Sequence, residues 1–397
     1  MKRALVICLS LAALACAVPA TGTAGGGPNG PSFGSGKYPR ESRALGFCNV
    51  FANSVPKYRS CIISHALQLI LQTHDPADEL PRIDLYVHSV SGYLENHCHI
   101  LMHTVGREYA AKVHVTLENL LNYLPKSNDP NCSAGFGHGL LIHLGPQIKK
   151  IGPKGAAAEC AKAPTRYERY SCIHGLGHAY ARIFIDAIAP ALQMCDQLGT
   201  GNATDCAQGV YHDYWIAVSG LDAAHAPPGS ILDPRTLCDA QPKQFVLPCW
   251  YRALLEHPPE HALTNAKAID AECNGLSGLD RSGCIVGSSL ITSDDPYTQM
   301  QTCATMDSTD AASCVRGVVS SALLNQPLSS QIQLIQGCAV YPHAAQHACY
   351  GWLGKALNVV DNGTFGKRGC TRLRYSATRN TCTAGAKSYE GPLGTFS

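Results

Sequence analysis

Histidine is unevenly used along this 397-residue chain, which carries 17 of them. In four consecutive places a histidine falls five or six residues past a cysteine: His103 after Cys98, His138 after Cys132, His178 after Cys172 and His212 after Cys206. Further along, the sixth place holds other residues, Leu290 after Cys284 and Ser320 after Cys314. A longer duplication underlies the pattern. Cys98 to Cys172, Cys132 to Cys206 and His138 to His212 are each 74 residues apart. His99-x-x-x-His103-x-x-x-Arg107 recurs as His174-x-x-x-His178-x-x-x-Arg182 at an offset of 75. Two half-sites follow, His99/His103/His138 and His174/His178/His212.

Residues four apart lie on one face of a helix, with roots about 6 Å apart. Two imidazoles so placed can share a metal ion, with the third coming from the equivalent position one hairpin along. Stacking would line up His103, His138, His178 and His212 as a row on one surface. Neutral imidazoles suit zinc, copper or iron. Zinc with three ligands and an open position would hydrolyse through metal-bound water; copper or iron would oxidise with dioxygen. Arg107 and Arg182 are candidates to hold an anionic substrate bidentately, or else pair with Glu108, Asp186 or another carboxylate. Asp213 and Glu108 are candidates to orient a histidine. Tyr109, Tyr180 and Tyr211 lie near the motifs and read mainly as packing. The competing reading makes every one of these histidines a packing residue bonded to a neighbouring carbonyl. His343 and His347, also four apart, fall between Cys338 and Cys349 and are set aside.

In ligand type alone, the duplicated triplets resemble the type-3 copper sites of tyrosinase-like proteins, which hold two coppers between histidine triplets on paired helices. The resemblance implies a dinuclear site. The chain departs from that family in its cysteine pairs and hairpin repeats, so no fold is carried over. The sequence contains no C-x-x-C-H, G-x-S-x-G, P-loop or dinucleotide fingerprint.

The elements that must position these residues are legible from cysteine. Of 20 cysteines, Cys8 and Cys16 lie in the N-terminal apolar stretch, leaving 18. Cys195–Cys206, Cys238–Cys249, Cys273–Cys284, Cys303–Cys314 and Cys338–Cys349 are pairs eleven apart; Cys160–Cys172 and Cys370–Cys382 are twelve apart, and Cys48–Cys61 thirteen. Cys98 and Cys132 have no near partner; they either bridge to each other or leave Cys98 as a thiolate ligand. Apolar runs of helical length flank the pairs, while the stretch between paired cysteines, such as 196–205 with Gly199, Gly201 and Asn202, reads as loop. The unit is therefore helix, Cys, loop, Cys, helix. Each closed loop stabilises by roughly 3 kcal/mol on the chain-entropy view. Many units read C-x-x-G after the second cysteine, at positions 172, 206, 284, 314 and 382. A glycine inside a helix costs about 1 kcal/mol, so its recurrence predicts close approach of a neighbour. The fold class is all-α: a disulfide-stapled α-solenoid of helical hairpin repeats, resembling TPR-like solenoids in architecture alone.

The chain divides into a signal peptide at 1–20, a flexible leader at 21–45, histidine-rich repeats at 46–237 and cysteine-paired repeats at 238–390. Met1-Lys2-Arg3 and the apolar run from Ala4 to Val18 read as an export signal. Ala13-Leu14-Ala15-Cys16 resembles a lipobox, in which Cys16 would carry a lipid anchor. The stretch is too short for a membrane span. With 31 basic and 29 acidic residues, nothing points to nucleic acid. The expectation is a secreted or periplasmic metal-binding protein, with a metal-dependent oxidoreductase or hydrolase as the reading if the site is catalytic, which the sequence leaves open. Its rival is a non-enzymatic solenoid that binds a protein or peptide partner and uses its histidines structurally.

Overall fold

The structure is a computed structural model. It describes residues 38–387 apart from 91, 126–130, 186, 220–229, 232, 260–262, 264, 291–294, 326–333, 335, 342–345, 347–348, 355–369 and 372. The expected signal peptide, Cys8, Cys16, His343 and His347 lie outside the described residues. Among the described residues the chain is helical without strands, and no helix is long and apolar enough to cross a membrane.

The helices are α1 (Pro39–Gly46), α2 (Val55–Thr73), α3 (Pro76–Ser89), α4 (Tyr93–Val113), α5 (Cys132–His143), α6 (Gly145–Ala161), α7 (Arg166–Ile183), α8 (Ile188–Asp196), α9 (Thr200–Val218), α10 (Pro234–Asp239), α11 (Lys243–Glu256), α12 (Ala266–Glu272), α13 (Gly278–Leu290), α14 (Pro296–Cys303), α15 (Ser308–Asn325) and α16 (Ser376–Lys387). Local chemistry sets many of the starts. Asp75, Asp233, Asn265 and Asp295 accept from first-turn amides, and Thr165 with Glu168 closes a capping box on α7. Gly152, at φ 74°, followed by Pro153, breaks α6.

The hairpins α6/α7, α8/α9, α10/α11, α12/α13 and α14/α15 each pack internally, and their second helices stack in the order α7, α9, α11, α13, α15. Helices α4 and α5 lead into this stack through α5 against α7. All nine expected cysteine pairs are bridged, and they fit an oxidising compartment. Cys98 bonds Cys132 across a Cα separation of 5.0 Å, joining α4 to α5, so Cys98 is not a thiolate ligand.

Three sequence boundaries move. Residues 39–45 of the expected leader form α1, with Leu45 buried, so ordered structure reaches into that stretch. The loop expected between Cys195 and Cys206 shrinks to a turn, because α9 already begins at Thr200. Gly199, at φ 85°, makes the left-handed bend alone, while Gly201 and Asn202 are helical. The division at 237/238 separates nothing structurally: α9 packs on α11 across it.

The glycine of C-x-x-G lets backbones touch. A Cβ on Gly135 would strike the carbonyl of His99, and one on Gly209 would strike the carbonyl of His174. The duplication read in the sequence is thus a duplicated helix crossing, α4 on α5 and α7 on α9. Gly209→Ala gains up to about 1 kcal/mol of helix propensity but forces α7 and α9 apart. Urea unfolding is expected to show a net loss of about 2 kcal/mol. Gly201→Ala, in the same helix with open space around it, is the control and should cost nothing. Equal effects at both positions would refute the close-packing role.

Candidate metal centre

Four helices supply the six histidines: α4 brings His99 and His103, α5 His138, α7 His174 and His178, and α9 His212. The glycine contacts draw α4 to α5 and α7 to α9, and α5 packs on α7 between them. Within the first half-site, ring centroids lie 4.9 Å (His99–His103), 5.1 Å (His99–His138) and 5.6 Å (His103–His138) apart. Within the second they lie 5.1, 5.8 and 4.9 Å apart. The halves also meet each other: His103 is 4.6 Å from His178, His138 is 4.8 Å from His174, and His99 is 5.0 Å from His212. The expected surface row is therefore one closed cluster. Turning from hairpin to hairpin brings the fourth helix round to face the first, so an open row would have required straight stacking.

Burial is deep. His103, His138, His174, His178 and His212 are at most 7% exposed, and His99 is half-buried. One ring nitrogen from each of His99, His103, His138 and His178 lies within 4.8 Å of the others, and the same holds for His174, His178 and His212. The second set is made of the three histidines of the second half-site. The first gains His178 from the other half-site. A tetrahedral ion with bonds near 2.0 Å needs donors about 3.3 Å apart, so a small closing movement would complete either set. The cluster could hold a metal ion.

No protein-family model, curated protein or solved structure matches the chain.

One nitrogen of several of the rings is held. His99 Nδ1 lies 3.1 Å from the Asn131 carbonyl, His178 Nδ1 3.3 Å from Asp213 Oδ1, and His212 Nε2 3.1 Å from Glu256 Oε1. Ser171 Oγ lies 3.4 Å from His138 Nε2. Each carboxylate is itself paired: Asp213 with Arg182 Nε at 2.7 Å, Glu256 with Arg252 at 3.4 Å. By contrast, His103 Nε2, His138 Nδ1, His174 Nδ1, His178 Nε2 and His212 Nδ1 are buried and make no hydrogen bond. Burial holds all five of these imidazoles well below their ordinary pKa, with neighbouring histidines and the Arg182 and Arg252 guanidiniums adding to it. They are neutral, the form that ligates a metal.

The two arginines singled out in the sequence part company. Arg182 joins the network through Asp213, 16% exposed. Arg107 is exposed and lies by His143 rather than the cluster, so it does not line the site. Glu108 is exposed too. Tyr109 packs on Phe136, and Tyr211 donates to Gln241, consistent with packing roles. Cys48, Cys61 and His65 also lie together, but both sulfurs are spent in a disulfide.

Arg252 and Glu256 are the residues that sequence reasoning passed over. They stand on α11, in a repeat without histidines at the expected places. One signal was present: Arg252 occupies the third place after Cys249, where the units at 172, 206, 284 and 314 have glycine. An arginine in a position otherwise kept bare faces a neighbouring helix.

Proposed function

We propose that this is an exported metal-binding protein whose six-histidine core holds a transition-metal ion: copper, iron or zinc. The observation carrying this reading is the convergence of six histidines whose donor nitrogens lie within 4.8 Å of one another in two sets, five of the rings having a buried nitrogen without a hydrogen bond. A buried polar atom without a partner costs about 1–3 kcal/mol, and five in one place make a poor packing arrangement but a good ligand cage. The carboxylates and carbonyl on the far side of His178, His212 and His99 add the outer support that fixes ligating imidazoles. The scaffold alternative needs the histidines to be satisfied by neighbouring carbonyls; a carbonyl accepts from His99, but the five orphaned nitrogens speak against it as a whole.

Enclosure narrows the chemistry. A bound copper or iron ion would supply redox chemistry, a zinc ion Lewis acidity. The protein's own groups exclude water, hold the rings neutral and fix their tautomers. Rings this buried favour an exogenous ligand of the size of water or dioxygen over a bulky hydrolytic substrate. Export rests on the nine disulfides and the basic-then-apolar start of the sequence.

The test is metal content by ICP-MS on untagged protein purified from an oxidising compartment, beside a His103→Ala/His178→Ala variant. Near-stoichiometric metal lost in the variant is expected. A parent that takes up no ion when each is supplied would sink the reading.

A further inference from the structure

The six imidazoles are not equivalent, and their hydrogen bonds decide which can ligate. A neutral imidazole has one N–H and one lone pair, and only the lone pair binds a metal. Asp213 and Glu256 are acceptors, so the nitrogens facing them, His178 Nδ1 and His212 Nε2, carry the protons. Their lone pairs are on His178 Nε2 and His212 Nδ1, both buried without a hydrogen bond. The Asn131 carbonyl sets His99 in the same sense, with its lone pair on Nε2.

His174 is opposite. Its Nε2 lies 3.5 Å from Arg252 Nη2. A guanidinium has donors and no acceptor, so His174 Nε2 must present its lone pair outward to Arg252. The proton is then on Nδ1, which is buried and makes no hydrogen bond. Arg252 is itself fixed, 8% exposed and tied to Glu256 at 3.4 Å.

We propose that the core holds one ion, bound by His99, His103, His138 and His178, and that His174, set by Arg252, is not a ligand but an inward N–H donor for a small anion bound beside that ion. The inference rests on the metal-binding reading above. It also answers how many ions the cluster takes. Without His174, the second histidine set keeps only His178 and His212, and His178 already belongs to the first set. His174 is thereby a positioning residue for the ligand, and Arg252 for His174.

Co(II) and azide are the probes, used with the full disulfide-bonded chain. The parent is expected to saturate at one Co(II) per chain by visible absorption. His174→Leu should still bind one Co(II), with Kd within about tenfold of the parent, whereas His178→Leu should raise Kd more than about 100-fold, beyond the usual effect of an outer partner. On the Co(II) protein, azide should bind about tenfold more weakly to His174→Leu, and His174→Gln, which restores an N–H donor, should recover most of that loss. If His174→Leu fails to fold, His174→Gln carries the Co(II) arm by itself, because it too lacks the imidazole. Two Co(II) per chain, or loss of Co(II) in His174→Gln as complete as in His178→Leu, overturns the single-ion assignment and leaves the metal-binding reading intact. Unchanged azide affinity in His174→Leu overturns the donor role. A parent that takes up no Co(II) overturns both readings.

Discussion

Acidifying the metal-free protein from pH 8 to 5 is expected to lower its Tm steeply, with the loss beginning near pH 6.5. Five histidines have folded-state pKa values held well below the ordinary 6.5, chiefly by burial. Below about pH 6.5 the unfolded chain takes up protons at these positions and the folded chain does not, so stability falls as pH falls. Three buried carboxyls act in the other direction. Burial raises the pKa of Glu79, Asp205 and Glu256, so the folded chain keeps protons that the unfolded chain releases, and their contribution grows on acidification. Five histidines outweigh three carboxyls, and each complete proton difference is worth about 1.4 kcal/mol per pH unit, so the net slope keeps the sign set by the histidines. A bound ion occupies the same lone pairs, so loading should move the onset of the loss to lower pH. Calorimetry across the range, with and without metal, measures this. A flat Tm for the metal-free chain would mean that the imidazoles are solvated or already protonated.

Arg252→Leu is expected to destabilise the chain by about 3 kcal/mol or more at pH 8, because it leaves the Glu256 carboxylate buried without its cation. Arg252 also counters the effect of burial on Glu256, so its loss raises the Glu256 pKa further. A protonated Glu256 then forms at higher pH, and the penalty should shrink towards pH 6. Arg252→Leu/Glu256→Gln removes the stranded charge while keeping an acceptor for His212, and should recover at least half of the loss. Urea unfolding of the two single variants and the double variant forms the cycle. Additive losses would show that Arg252 and Glu256 act independently, and with them the buried network behind His212 would fall.

These effects come from residues that the sequence disclosed unequally. Cysteine spacing announced the staples, because a bridge between adjacent hairpin helices leaves a fixed contour of eleven to thirteen residues. The histidines at i and i+4, repeated at an offset of 75, announced two pairs of rings on helix faces. Recurrent glycine announced close helix crossings, and Gly135 and Gly209 make them against equivalent carbonyls.

Periodicity fixes which face of one helix a residue occupies but not how successive hairpins rotate. That rotation turned an expected surface row into an enclosed cluster, joined His178 to the first set and left Arg107 in solvent. It also brought α11 against α9, so Arg252 and Glu256 reached a site 40 residues or more upstream in the chain. Such long-range neighbours depend on the angle at every intervening crossing, and no local pattern encodes their sum. The sequence by itself determined an all-helical, disulfide-stapled chain with six histidines capable of ligation. Only the tertiary structure decided that the six share one cluster, and which carboxylate or guanidinium stands beside His178, His212 and His174.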